Sequence, residues 1–389
     1  MKILSFTSGY PDKENRVKKI FAHEQNLEFK RQGHEVIVIN VGAPETLFEN
    51  FEGIDVYKYM KSGNNLLKLY KTLLEIKKQF KNKYFDLVLF NGLAANQYIF
   101  LNFLKSISNK VAVIVHGTDG MISKNLLKNS IRRKFLKNVN FIFPVSYYTD
   151  TLVAHLEKRT NKSASKSIVV PNGINVDKFS DVVTISENNL RNEFKIDQGS
   201  FVVLTVSDLI ERKGIDILID AIKIFYETNK KIKHIIIGRG DQAILLKEKV
   251  AKLNLNHIVE FIDYVADDKQ LVKYYKLCDV YCMVSKTLYD KPACEGFGIS
   301  YIEASYLGKP VIGGDNGGTT TAIKHNFTGY LVNPYSKECS KDIANYLSIL
   351  QKDKKEYNRT SNNGKLAVNR EFTWKQNVSR ILKIINNDR

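Results

Sequence analysis

The feature that most limits what this chain can fold into is an alternation that runs twice. Short apolar runs at 2–7, 35–41, 85–90, 111–115 and 141–145 are separated by helical patterns at 15–32, 64–83, 94–106, 124–137 and 147–158. The pattern then restarts, with strand candidates at 201–206, 233–237, 258–262, 279–284 and 310–312. Helical stretches at 216–228, 242–253, 269–276 and 299–307 separate them. Strands alternating with helical stretches imply crossover units and a parallel sheet. Two such series imply an α/β protein of two doubly wound, Rossmann-like domains. With 389 residues the chain is long enough for both. The expected boundaries are 1–178 and 179–372, after the turn Pro171-Asn172-Gly173. Residues 373–389 are expected to form a terminal helix that returns to the first domain. Residues 177–198 are polar and weakly periodic.

Bulk properties narrow the class. Apolar residues make up 43% of the chain, enough to fill two cores. The four cysteines, at 278, 282, 294 and 339, match no zinc-ribbon spacing and read as buried thiols in a reducing compartment. The first residues lack the apolar run of a signal peptide, and no stretch approaches the roughly 20 apolar residues of a membrane span. A cytoplasmic protein is expected, peripheral on the inner face of the membrane. Charge is unevenly placed: residues 1–180 carry 28 Lys and Arg against 15 Asp and Glu, which is most of the net +18. Such a surplus suits an anionic surface such as phospholipid, lipid-linked phosphate or nucleic acid.

Ligands in open α/β sheets bind beyond the carboxyl ends of the strands, and several motifs fall there. The stretch Glu295-Gly296-Phe297-Gly298-Ile299 lies between a strand and a helix that ends near Gly308 and Pro310. Its glycines allow close backbone approach. The helix start, from Ile299, offers free N–H groups suited to a diphosphate. Glu295 can reach sugar hydroxyls, and Glu303 can accept bonds from a ribose diol. The bland alternative is that Glu295 is a helix-start charge and Glu303 a solvated side chain. Arg212 and Lys213 follow the strand at 201–206 and can neutralise a departing diphosphate; the bland alternative is two solvated cations. Gly238 follows the strand at 233–237 without the third glycine of a dinucleotide fingerprint.

In the first half, His116 and Asp119 follow the strand at 111–115. A histidine there can bond a sugar hydroxyl or serve acid–base chemistry, or it can be structural. Ser8, Gly9 and Tyr10 follow the first strand and are placed to meet phosphate or acceptor.

The order of these motifs resembles one family. Val170-Pro171-Asn172-Gly173-Ile174-Asn175-Val176-Asp177-Lys178-Phe179 is similar to the interdomain signature of retaining GT-B glycosyltransferases of family four. Arg212-Lys213-Gly214, Gly238, Asp279, Glu295 to Glu303, Gly308-Lys309-Pro310-Val311 and Thr328-Gly329-Tyr330-Leu331-Val332 follow in the family's order. The resemblance implies two Rossmann-like domains facing each other across a cleft that takes a nucleotide sugar. It implies that Arg212 and Lys213 grip the donor phosphates. Glu295 contacts the donor sugar beside the backbone of Gly296, Phe297, Gly298 and Ile299, and Glu303 holds the ribose. His116 touches the transferred sugar. Gly9 lies in a loop serving donor and acceptor, with Tyr10 and Asp119 on the acceptor side. One departure stands out: after Gly317-Gly318 the family usually shows Pro then Glu, where this chain has Thr320 and Thr321.

The mechanism implied is front-side displacement, with leaving-group charge met by Arg212, Lys213 and backbone donors. No Asp-x-Asp pair stands after a strand in the required context, and Asp267-Asp268 reads as a helix start. No cofactor and no obligatory metal are expected. The expected reaction carries a hexose or N-acetylhexosamine, from a UDP-sugar by family frequency, to a glycan acceptor linked to lipid diphosphate. A GDP-mannose-dependent mannosyltransferase is the alternative, and a nucleotide-sugar or anionic-surface binder without activity is a third reading. The helices at 64–83 and 124–138 combine apolar and basic residues; they lie on an anionic membrane, or simply pack on the sheet with lysines solvated. A nucleic-acid binder would explain the charge but not the glycine loops and paired glutamates. The oligomeric state is not legible.

Overall fold

The computed structural model describes the whole chain except residues 13, 14, 17, 63, 64, 160–165, 266, 388 and 389. The chain forms two compact units, Met1–Gly173 with Trp374–Arg389, and Ile174–Thr373. The division falls at Gly173 rather than after 178. Residues 174–179 lie with the second unit: the Ile174 N–H donates to the Phe372 carbonyl at 3.0 Å, and the Phe179 ring meets Tyr306 at 4.9 Å.

The first unit runs β1 (Lys2–Thr7), α1 (Ile20–Arg31), β2 (Glu35–Ala43), β3 (Leu47–Phe51), β4 (Ile54–Met60), α2 (Leu66–Phe80) and β5 (Phe85–Asn91). It continues with α3 (Tyr98–Ser106), β6 (Ser108–Val115), α4 (Leu126–Asn138), β7 (Phe141–Pro144) and α5 (Tyr147–Glu157). The seven strands lie in the order β3-β4-β2-β1-β5-β6-β7, all parallel except β3 against β4. The inner strands are covered on both faces and therefore read as unbroken apolar runs. On one face Leu4, Phe6, Val88 and Phe90 meet Leu73, Phe80, Phe100 and Phe135 from the helices. On the other, Asn26 of α1 donates to Ser5 at 3.2 Å.

Two expected helix starts, at 15 and 64, give way to later ones. Val17 and Asn64 lie outside the described residues; α1 begins at Ile20, and α2 at Leu66, capped by Asn65. The hairpin β3–β4 carries no strong sequence signal. Its two-residue loop is Glu52-Gly53, with φ of 48° and 84°. Positive φ at both positions is the demand of a type I′ turn, which Asn-Gly signals and Glu-Gly does not.

The second unit opens with α6 (Ser180–Val183) and α7 (Glu187–Glu193). It then alternates β8 (Phe201–Val206), α8 (Ile215–Thr228), β9 (Ile232–Ile237), α9 (Ala243–Lys252), β10 (Val259–Ile262), α10 (Asp268–Leu277), β11 (Val280–Met283) and α11 (Ile299–Tyr306). After these come β12 (Val311–Gly314), α12 (Thr319–Ala322), β13 (Tyr330–Val332), α13 (Cys339–Lys352) and α14 (Lys354–Glu371). Its six strands are all parallel, in the order β10-β9-β8-β11-β12-β13. Helix α7 lies in the polar, weakly periodic stretch at 177–198. Arg191 on it reaches Asp279 at 3.2 Å, and that carboxylate also accepts the Val202 N–H at 2.7 Å. Helix α14 escapes an apolar pattern because it buries only Thr360, Gly364 and Val368. These small residues let it lie close to α11, where a methyl on Gly364 would stand 3.4 Å from Ser305.

The terminal helix, α15 (Trp374–Asn387), belongs by contact to the first unit. Trp374 donates to Glu24 at 2.7 Å, Gln25 donates to Asn377 at 2.7 Å, and Asn377 donates to the Pro171 carbonyl at 2.6 Å.

Candidate functional site

The order of the second sheet places the ends of β8 and β11 side by side. After β8 the chain makes a single 3₁₀ turn, Glu211–Lys213, and Gly214 with φ 62° starts α8. A side chain at Gly214 would overlap the Val284 carbonyl, so glycine is required to bring the two loops together. The Lys286 N–H donates to the Arg212 carbonyl at 2.8 Å and ties them. From the other side, the Gly318 N–H donates to the Glu295 carbonyl at 2.8 Å, and a methyl on Gly318 would overlap the Gly296 carbonyl.

Within this frame three charges meet. Lys213 Nζ lies 2.6 Å from Glu295 Oε2, and Arg212 Nη1 lies 3.1 Å from the same oxygen. Ser285 Oγ adds a contact at 3.3 Å. All three ionic side chains are largely covered, at 11%, 18% and 12% exposure for Lys213, Arg212 and Glu295. Burial by itself would raise the Glu295 carboxyl, but Lys213 and then Arg212 overcome it and bring it down to about 2. The two sequence segments thus meet in one charged cluster, with the carboxylate ionised and both cations directed onto it.

Helix α11 begins at Ile299 behind Gly298, whose φ of 95° starts it without a side-chain cap. Buried tyrosines, one of them its own Tyr301, tie it to its surroundings. Tyr281 donates to Ser300 Oγ at 2.7 Å, Tyr301 donates to the Met283 carbonyl, and Tyr275 donates to Glu303 at 2.9 Å. One Glu303 oxygen is therefore engaged by the protein. Phe297 turns its ring inward onto Phe372, 5.6 Å away. Gly238, with φ 153°, answers a packing demand: a side chain there would overlap the Ser207 carbonyl. The family's second glutamate has no substitute on α12, where Thr320 donates to the Gly317 carbonyl at 3.2 Å and Thr321 is buried.

In the first unit the strand-end residues divide. His116 is packed against Phe21 at 4.6 Å, and both its ring nitrogens are buried without a hydrogen-bond partner among the described residues. Burial, reinforced by Lys19 and opposed by Asp119, pushes its pKa down to about 4, so the imidazole is neutral near pH 7. That state can accept a proton or a hydrogen bond but does not act as a cationic acid. Asp119, expected on the acceptor side, spends its oxygens on backbone: it accepts the N–H groups of Gly117 at 2.7 Å, His116 at 2.9 Å and Leu93 at 3.0 Å. Tyr10, expected beside it, is fully buried. Its hydroxyl bonds His23 Nδ1 at 2.8 Å, and His23 Nε2 meets Glu52 at 3.0 Å. An alternating strand-end pattern cannot reveal that the chain turns this ring back into the core. Gly9 lies beneath the side chains of Lys18 and Lys19.

Two polar residues escape sequence reasoning. Ser285 is one ordinary serine just past a strand. Lys19 stands in the left-handed region, φ 51° and ψ 39°, and donates to Ser8 at 3.2 Å; nothing local marks a lysine for that conformation.

The basic helices present exposed apolar side chains. On α2, Leu69, Leu73, Ile76 and Phe80 are buried, whereas Leu66, Leu67, Tyr70 and Leu74 are exposed. Leu126 and Leu127 at the start of α4 are also exposed. Among the described residues no helix is long and apolar enough to cross a membrane.

Two Rossmann-like α/β units, the second with a cationic pair and a carboxylate at its strand ends, define the GT-B class of glycosyltransferase. Comparison with known proteins agrees. The Glycosyltransferase Family 4 model matches residues 20–178 and the Glycosyl transferases group 1 model matches residues 186–367. The chain belongs to this family of glycosyltransferases, and it is a transferase enzyme. It is 25% identical over 337 residues to the alpha-1,3/1,6-mannosyltransferase ALG2 of Dictyostelium discoideum, covering 78% of this chain and 76% of that one. It is 28% identical over 243 residues to a GDP-mannose-dependent alpha-(1-6)-phosphatidylinositol monomannoside mannosyltransferase of Mycobacterium tuberculosis. That match covers 62% of this chain and 61% of the relative, less than two thirds of its length. Among solved structures, Anabaena Alr3699/HepE in complex with UDP and glucose shares the fold over the full length of both chains, with TM-score 0.72 and 19% identity.

Proposed function

We propose that this enzyme is a retaining glycosyltransferase that moves a hexose or N-acetylhexosamine from a nucleotide sugar to a glycan acceptor carried on lipid diphosphate. The observation that carries the reading is the convergence of Lys213 and Arg212 on Glu295, at 2.6 and 3.1 Å, where β8 and β11 end. A pair of directed cations at that edge suits a nucleoside diphosphate as leaving group. Front-side displacement needs no carboxylate nucleophile; its demand is for stabilised charge on the departing phosphate. Arg212, Lys213 and the backbone N–H groups at the start of α11 supply it. Glu303 is assigned to the ribose, Glu295 to the donor sugar, and His116, as a neutral imidazole, to a sugar hydroxyl. Transfer is expected to persist in EDTA, since these cations take the part a metal would play.

Two donor readings stand. Family frequency points to a UDP-sugar. The sequence relatives, a mannosyltransferase and a GDP-mannose-dependent enzyme by their names, favour GDP-mannose. Calorimetric titration with UDP-glucose, UDP-N-acetylglucosamine and GDP-mannose separates them; failure of all three to bind would remove the donor assignment.

The exposed Leu66, Leu67, Tyr70 and Leu74 lie on a helix with Lys68, Lys71, Lys77 and Lys78. Apolar groups flanked by lysines fit the headgroup region of an anionic membrane, where each basic residue contributes about 1 kcal/mol. This supports peripheral attachment on the cytoplasmic face and a lipid-borne acceptor. Co-sedimentation with phosphatidylglycerol vesicles, compared with neutral ones, tests it; equal binding to both, or to neither, would refute it.

A further inference from the structure

We propose that Glu295 exchanges partners, serving as the resident anion of the diphosphate pocket when the pocket is empty and as a sugar ligand when the donor is bound. The exchange makes the enzyme prefer substrate to product. The inference rests on the reading that Arg212 and Lys213 hold a nucleoside diphosphate.

The geometry points to it directly. A single oxygen, Glu295 Oε2, takes Lys213 at 2.6 Å, Arg212 at 3.1 Å and Ser285 at 3.3 Å. That is the donor set a phosphate oxygen would want: two cations and a hydroxyl. The carboxylate therefore stands where an incoming phosphate has to compete. Both cannot be fully satisfied, because a diphosphate beside a buried carboxylate meets like charge at short range.

The movable part is the side chain. The Glu295 backbone is pinned by the Gly318 N–H, and a methyl on Gly317 would stand 2.6 Å from its carbonyl oxygen. The Arg212 backbone is pinned by the Lys286 N–H at 2.8 Å. When a diphosphate takes the two cations and the Ser285 hydroxyl, Glu295 Oε2 loses three partners at once. A buried carboxylate without partners is costly. A nucleotide sugar brings hydroxyl donors that can replace those partners. A nucleoside diphosphate brings none, so it binds against the full cost of the orphaned carboxylate. After transfer the sugar leaves with the acceptor, Glu295 recovers the cations, and the spent nucleotide is expelled.

The test is calorimetry on the full chain, titrating UDP, GDP, UDP-glucose and GDP-mannose into wild type and Glu295→Gln. The base that wild type accepts is then followed. Glu295→Gln removes the competing charge, so the diphosphate is expected to bind at least about tenfold more tightly, the scale of one charge-assisted hydrogen bond. Affinity for the nucleotide sugar stays level or falls, and the preference for substrate collapses. Parallel weakening of both ligands, or an unchanged ratio, would overturn the exchange while leaving the diphosphate site intact. Binding of no nucleotide by wild type would overturn the site itself and the exchange with it. If Glu295→Gln folds poorly, Glu295→Asp, which keeps the charge but shortens its reach, is expected to shift the ratio the same way by a smaller factor. In that variant inorganic pyrophosphate should raise the unfolding temperature more than it does in wild type; an equal or smaller rise counts against the exchange.

Discussion

The carboxyl edges of the two sheets are built alike, but their polar groups are partnered differently. At the second, the charges satisfy one another: Glu295 draws Arg212 and Lys213 together, and glycines at 214, 317 and 318 bring three loops into backbone contact. At the first, the polar groups mostly hold the loops themselves. Asp119 binds three backbone N–H groups and Tyr10 points into the core, while His116 keeps two buried nitrogens without partners among the described residues. The lesson concerns pre-organisation. On the proposed function, the site for a highly charged ligand is kept assembled by an internal counter-ion, whereas the one for neutral hydroxyls leaves a neutral acceptor waiting.

The largest expected effect strikes the charged edge. Lys213→Ala removes the shortest contact to Glu295 and one cation facing the leaving group. Turnover should fall roughly 10²–10³-fold. The fold should persist, because Arg212 and Ser285 still hold the carboxylate. Turnover near the wild-type value, measured by nucleotide release, would remove the functional distinction between the two edges.

Next comes the neutral imidazole. Below about pH 6.5 an unfolded chain takes up a proton that folded His116 refuses until about pH 4. Stability should therefore decline as pH falls through that window, by up to about 3 kcal/mol from this group. His234, buried on β9 and lowered to about 3, acts in the same direction. The informative quantity is thus the difference between wild type and His116→Gln. Urea titrations at pH 7 and pH 4.5 should show a shallower loss in the variant, and identical losses would mean that His116 is accessible and ionises normally.

The smallest effect is expected at Tyr10. Tyr10→Phe leaves His23 Nδ1 without its partner and should cost about 1–3 kcal/mol of stability, with little change in the Michaelis constant for acceptor. A large rise in that constant with stability unchanged would restore Tyr10 to the acceptor side.

Much of the fold is legible in the sequence because parallel strands buried on both faces announce themselves as apolar runs. The strands β1 and β8 coincide with the runs at 2–7 and 201–206. What escapes is whatever depends on a partner. The hairpin β3–β4 rests on an atypical turn, α14 on small residues that matter only against α11, and α7 on Arg191 meeting a distant aspartate. The candidate site divides the same way. Strand-end position suffices to single out Arg212, Lys213 and Glu295. Ser285 and Lys19 carry no local mark, and the inward turn of Tyr10 is set by the place of His23 on α1.

By itself the sequence determined two Rossmann-like domains, the glycosyltransferase family, and the segments that supply charge at the strand ends. Backbone hydrogen bonding and apolar burial repeat with a period, and a period can be read along one dimension. Only the tertiary structure decided which charges neutralise one another, which glycines answer to packing, and that the chain divides at Gly173. Those outcomes depend on distances between residues far apart in the chain, such as the 82 positions separating Lys213 from Glu295. No local pattern encodes a distance of that kind.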